Sequence, residues 1–253
     1  MKKHRNTVEF CVHGKYALFS DVLTRVGGEK CSYTIPTYEA LKGILQSVYF
    51  KPTITWFIDE VRIMNPIKTV RKGIRTKLYS PEKTKVSDLY YYTYLEDVCY
   101  QVRAHFEWNM NRPELEQDRN EHKHHNIAKR MIERGGRRDV FLGTRECQGY
   151  VEPCVFGEGE GAYDKVDMDM AFMYYGIIYP DEAEKEEDKG YMTVCLWQPK
   201  MKDGIIEFVR PSEIAPEHKR HIKKMEMKKF GKELDNFTGL DEFKGGEFDE
   251  LDE

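Results

Sequence analysis

Apolar and polar residues alternate at the start of the chain. Val8, Phe10 and Val12 interleave with Glu9, Cys11 and His13, which predicts a half-buried first strand. The period lengthens over residues 36–48, where Leu41, Ile44, Leu45 and Val48 share one face and Pro36 lies near the start, so a helix is expected. Pro52 disfavours helix in the residue before it and helps close this element, leaving Tyr49 at a helix end where a phenol can be presented. Residues 53–64 read as a strand with Trp56, Ile58 and Glu60 on one side and Thr55, Phe57, Asp59 and Val61 on the other. Asn65-Pro66 is a turn signal, and residues 67–78 are expected to return as the second arm of a basic hairpin carrying Lys68, Arg71, Lys72, Arg75 and Lys77. A tyrosine-rich strand (Tyr90, Tyr91, Tyr92, Tyr94) continues into an alternating run over residues 98–108.

From residue 112 the period is helical again. Lys123, Ile127 and Met131 fall in line with His124 and Ala128 beside them, and Gly135-Gly136 should end the element, with a strand following over residues 139–151. The order strand, helix, paired strands, helix, strand is the βαββαβ succession of ferredoxin-like folds, the architecture of RNA recognition modules, and implies an α+β class. Past a glycine-rich linker at residues 157–161, runs at 168–179, 190–198 and 205–210 predict a small antiparallel β domain, and residues 217–231 a short basic helix. The expected organisation is a first domain over 1–155, the β domain over 156–230 and an acidic, disordered tail over 231–253.

Charge sharpens this picture. The 253 residues carry a formal net charge of -4, yet six acids fall between Asp181 and Asp188 and eight lie from Asp235 onward, so the remaining body is basic and suited to an anionic partner, nucleic acid above all. Solvated surface charge accounts for such a balance equally well. The six cysteines form no CxxC pair, which favours reduced thiols over a disulfide frame or zinc knuckle. No apolar run reaches the length of a membrane span and the first residues lack an apolar signal core, so no membrane partner is expected and the expected compartment is the cytoplasm.

The densest cationic run is Arg119, His122, Lys123, His124, His125, Lys129 and Arg130. A metal site fits it poorly, because His122 and His125 are three apart and the i+4 position holds Asn126; no cofactor is expected. A solvated basic helix fits it, and so does a ribonuclease site, since RNA supplies its own 2′-hydroxyl nucleophile and asks only for proton transfer and positive charge at phosphorus. Histidine titrates near ~6.5 and tyrosine near ~10, so His124 is the candidate acid or base, Lys123 the cation for the transition state, and Tyr49 the group that positions the hydroxyl or donates to phosphate. Arg119, His125 and the hairpin residues Lys68, Arg71, Lys72 and Arg75 are the candidate RNA contacts.

The segments NEHKHHNIAKRMIERGGRRDVFLGTRECQGYVEP, VYFKPTITWFIDEVRIMNP and IKTVRKGIRTKL together resemble the type I-C CRISPR-associated RAMP family, over most of the chain to about Arg210. The resemblance implies a ferredoxin-like domain with a small β domain and metal-independent cleavage of precursor CRISPR RNA at the base of the repeat hairpin. It also implies retention on the 5′ handle beside the other subunits of the interference complex. The family's catalytic tyrosine, lysine and histidine carry over onto Tyr49, Lys123 and His124. Two other readings stand beside it: a non-catalytic subunit capping the 5′ end of the guide, and a metal-dependent nuclease using Asp59 or Glu60.

Overall fold

The computed structural model describes residues 4–77 and 87–227. Strand β1 (Val8–Ala17) buries Val8, Phe10 and Val12, as its alternation requires. Helix α1 (Tyr38–Val48) is capped by the Thr37 hydroxyl, which accepts from Ala40 N. Leu41, Ile44, Leu45 and Val48 are buried, each contributing about 1.5–3 kcal/mol over an exposed position. Tyr49 follows in extended conformation, with its N–H on Leu45 O at 2.8 Å and its carbonyl accepting from Trp56 Nε1 at 2.8 Å.

Strands β2 (Ile54–Ile63), β3 (Lys68–Lys77) and β4 (Ser87–Trp108) follow, then helix α2 (Glu121–Glu133) and strands β5 (Val140–Phe141) and β6 (Gln148–Pro153). Among the described residues the large sheet has nine strands, eight of them in the order β5-β6-β1-β4-β2-β11-β10-β7, with β3 on β4; β7 is Met168–Asp169, β10 Lys200–Lys202 and β11 Ile205–Glu207. The architecture is α+β, and α1 and α2 occupy the crossovers from β1 to β2 and from β4 toward β6. No helix among the described residues is long and apolar enough to cross a membrane.

Several elements depart from the sequence reading. Asn65-Pro66 does not close a hairpin: β3 pairs with residues 87–96 of β4, while β2 pairs with residues 100–108 of the same strand. The tyrosine-rich strand and the run after it are thus one 22-residue strand, serving two partners on either side of Asp97, whose φ is 52°. In β2 the register shifts between Ile58, opposite Ala104, and Glu60, opposite Arg103. This bulge at Asp59 reverses the alternation, so Val61 joins the face of Trp56 and Ile58, and Glu60 lies on the other face. The strand expected over 139–151 is two short strands folded back on each other through a turn in which Leu142 N donates to Cys147 O.

Helix α2 is shorter than its hydrophobic pattern suggests. Residues Pro113–Asp118 form a 3-10 turn, and Asn120 starts the helix by accepting from Lys123 N at 3.0 Å. Gly135 and Gly136, with φ of 77° and 106°, end it by donating to Ile132 O and Met131 O, as expected. Because Asn120 sets where α2 begins, Asn120→Ala is expected to cost about 1 kcal/mol in a denaturant titration. An unchanged midpoint would show that the cap is dispensable.

The glycine-rich run expected as a linker is fastened to the sheet. Arg62 donates to the carbonyls of Glu158 (3.2 Å) and Gly159 (2.9 Å) and to the Asp164 carboxylate (2.8 Å). The three strands expected in one small sheet are also redistributed. The 205–210 run pairs with β2 through β11, and the 168–179 run divides between β7 and β8 (Met173–Ile178). The small sheet is β8, β9 (Tyr191–Trp197) and β12 (Lys219–Lys224), a strand where a short helix was expected. It packs on α1 through Tyr175 stacked on Tyr38 at 4.4 Å. The acidic tail expected over 231–253 lies outside the described residues.

Candidate active site

Two elements bring Tyr49 and His124 together. Tyr49 leaves the end of α1, and His124 sits in the first turn of α2, its N–H on Asn120 O. The Tyr49 hydroxyl lies 2.7 Å from His124 Nδ1. His124 Nε2 lies 2.8 Å from the backbone oxygen of Asp118, the last residue of the 3-10 turn. A carbonyl only accepts, so Nε2 carries a proton; in the neutral ring Nδ1 is then the acceptor and the Tyr49 hydroxyl the donor. Phe106 and Trp108 meet the imidazole edge-on, with centroids 6.2 Å and 5.8 Å away.

Asp118 joins the remaining members. Its carboxylate accepts from Lys123 Nζ at 2.5 Å and from Thr53 Oγ1 at 2.8 Å, and lies 3.5 Å from His124 Nε2. The Lys123 ammonium, with Thr53 and His124 behind it, holds the Asp118 carboxyl below the usual range against the opposing effect of burial. Burial, followed by the Asp118 charge, pushes the Tyr49 phenol up to about 12, so it stays protonated at neutral pH. Tyr49 is 4% exposed and His124 0%, whereas the Lys123 side chain is 48% exposed. The sequence placed His124 at the border of the buried face and Tyr49 where a phenol is presented to solvent; packing buries both, and Lys123 is the exposed member of the cluster.

The candidate RNA contacts do not converge on this cluster. Arg119 lies outside α2, and its Nη2 donates to the carbonyls of Asn109 (3.3 Å) and Arg112 (3.2 Å), bracing the loop before the helix. His125 donates from Nε2 to Thr7 O at 3.0 Å, tying α2 to the segment before β1. Along β3, Arg71 lies over the Tyr91 ring at 4.7 Å and pairs with Glu29, while Lys72 lies over Tyr16 at 3.0 Å; Lys68 and Arg75 are exposed. Lys72 pairs opposite Tyr92, sixteen residues before Trp108 on the same strand, a separation of up to about 50 Å at ~3.3 Å per residue. No hydrogen bond, ion pair or ring contact among the described residues joins these β3 side chains to the Tyr49–His124 pair.

Asp118 and Thr53 escaped the sequence reading. The chain passes from a 3-10 turn to a capped helix between Asp118 and Lys123, so helical spacing does not relate them, and an acid beside a basic run reads as ordinary surface charge.

Residues 7–209 match the family model Cas_Cas5d, described as CRISPR-associated protein (Cas_Cas5). A protein named CRISPR pre-crRNA endoribonuclease Cas5d from Mannheimia succiniciproducens is 32% identical over 119 residues, which is 40% of this chain and 52% of the relative. That match spans about half the relative's length. The protein of the same name from Thermus thermophilus is 22% identical over 216 residues, covering 78% of this chain and 88% of the relative. Among solved structures, one described as a CRISPR-associated protein superimposes with a TM-score of 0.68 at 34% identity, covering 82% of this chain and 94% of its own. A functionally uncharacterized protein from Streptococcus mutans superimposes with a TM-score of 0.67 at 36% identity, with the same coverage.

Proposed function

Because this chain belongs to the CRISPR-associated Cas5 family, which it matches over residues 7–209, we propose that it is an endoribonuclease. It cuts precursor CRISPR RNA at the base of the repeat hairpin and then stays on the 5′ handle within a type I-C interference complex. The observation that carries this reading is the 2.7 Å contact between the Tyr49 hydroxyl and a His124 ring whose other nitrogen is fixed by Asp118. The names of the relatives from Mannheimia and Thermus point to the same substrate.

The cluster suggests how the reaction proceeds. The substrate 2′-hydroxyl gives its proton to the Tyr49 oxygen as the Tyr49 proton passes to His124 Nδ1, the 2′-oxygen attacks phosphorus, and the bond to the 5′-oxygen breaks. The departing 5′-oxygen takes a proton from water, and the hydroxide left behind recovers the stored proton from His124 through Tyr49. The imidazolium formed at His124 is stabilised by the Asp118 carboxylate, and Lys123 faces the charge that develops on the phosphorane. His124 then acts through Tyr49 and is a positioning and proton-storing residue. Tyr49, held protonated by burial, relays a proton instead of standing as a phenolate. The basic face of β3, paired with the other half of β4, is left to hold another part of the repeat.

A second reading, a non-catalytic subunit that caps the 5′ end of the guide, draws on the complete burial of His124. Cleavage of a matching repeat RNA in excess EDTA separates the two, with product ends mapped and RNA binding measured in parallel. The expected products carry a 2′,3′-cyclic phosphate and a 5′-hydroxyl, and Lys123→Ala should cut more slowly by at least about tenfold. Tight binding without any cleavage would establish the capping subunit. Cleavage abolished by EDTA while fold and RNA binding are retained would establish a metal-dependent nuclease.

A further inference from the structure

Alternation along β4 directs Ala104 and Phe106 toward the helices and Arg103, His105 and Glu107 to the opposite face of the sheet. On that face His105, 3% exposed, holds Nδ1 at 2.8 Å and 2.9 Å from the two carboxylate oxygens of Asp59. A carboxylate only accepts, so Nδ1 carries a proton, and in the neutral ring Nε2 is a bare lone pair. That Nε2 is buried and makes no hydrogen bond among the described residues; Glu107 Oε1 lies 3.5 Å from it. Above it, His4 stacks on His105 with centroids 3.7 Å apart, placed there by a turn in which Thr7 Oγ1 donates to His4 O. One ligand atom from each of His4, His105 and Glu107 lies within 4.8 Å of the other two.

We propose that His4, His105 and Glu107 form a binding site for a transition-metal dication of the Zn2+ class, with Asp59 as the carboxylate that orients His105. Two imidazoles and a single carboxylate suit Zn2+ and disfavour Mg2+ or Ca2+, which take oxygen ligands. The Asp59–His105 bond is the arrangement that fixes the tautomer of a metal-binding histidine and raises its basicity. Arg210 donates to both oxygens of Glu107, at 2.9 Å and 2.8 Å, and to Glu184 at 2.8 Å, so the carboxylate is held in place and a bound ion would share it with the guanidinium. Ring nitrogens bind metals in the ring plane, so His4 must swing out of its stack toward Nε2 of His105. His4 lies in the segment before β1 and is only half-buried. The bound ion ties the residues preceding β1 to β4. It sits across the sheet from the Tyr49–His124 pair, which makes its role structural.

Metal-stripped full chain titrated with Zn2+ alone tests this, with uptake and thermal unfolding measured for wild type, His4→Ala and Glu107→Gln. Wild type should take up a single equivalent and gain roughly 5 °C in Tm at about a hundred times its Kd. Each variant should bind at least about tenfold more weakly, since even outer-shell partners are worth that much. His4→Ala alters a turn outside the core and Glu107→Gln keeps an oxygen for Arg210, so both variants fold. No uptake by wild type, the result if His105 is an imidazolium bridging Asp59 and Glu107, overturns the proposal. Either variant binding as tightly as wild type overturns it too.

Discussion

His124→Ala is expected to slow cleavage of a matching repeat RNA by about 100-fold or more while RNA affinity stays near the wild-type value. The imidazole is wholly buried, so its removal takes away the partner that receives the Tyr49 proton without altering a surface that RNA touches. Tyr49→Phe should produce a loss of similar size, and the double variant little further loss, because both residues act in one relay. The cycle also separates chemistry from folding. His124→Ala leaves the Tyr49 hydroxyl and the Asp118 carbonyl without their partner and should cost roughly 2–3 kcal/mol of stability, whereas Tyr49→Phe keeps the packing. If either single variant retains more than about a tenth of the wild-type rate, the relay is wrong. If the two losses multiply in the double variant, Tyr49 and His124 act independently.

Lys42→Met is expected to lower stability by about 3–5 kcal/mol at pH 7, a fall in Tm of roughly 10 °C. Lys42 is 5% exposed on α1 and paired with Glu182 in the loop that joins β8 to β9, so it anchors the small sheet. Burial alone would lower its pKa; the carboxylates of Glu182 and Glu39 outweigh that and hold it above the usual lysine value. Glu39 is half-buried, and desolvation raises its carboxyl pKa despite Lys42. Without the cation, Glu39 loses the charge that opposed its burial, and its folded-state pKa rises further. A carboxyl whose folded pKa exceeds its unfolded value binds more protons in the folded state, so that state gains stability as pH falls toward the unfolded pKa. The deficit of Lys42→Met should therefore narrow between pH 7 and pH 5. Thermal melts showing a deficit independent of pH, or under about 2 °C at pH 7, would refute the account.

What the sequence by itself determined is local. The period-two pattern of Val8, Phe10 and Val12, the apolar face of α1 and the Gly135-Gly136 stop all follow from interactions within a few residues, and each is found where expected. The adjacency of Lys123 and His124 and the place of Tyr49 at a helix end were legible for the same reason. Tertiary structure alone decided the rest. A strand's hydrophobic pattern says which face is buried but not which strand pairs with it, so the partner of β3 had to come from the sheet. One extra residue at Asp59 reverses every face after it, and periodicity carries no mark of that insertion. The basic run over 219–224 became a strand because β9 offered an open edge, overriding a weak local preference. The link from Tyr49 through His124 to Asp118 and Lys123 spans two helix ends and a 3-10 turn, and whether His124 meets solvent depends on Phe106 and Trp108, some sixteen residues or more away in sequence and in contact only after folding.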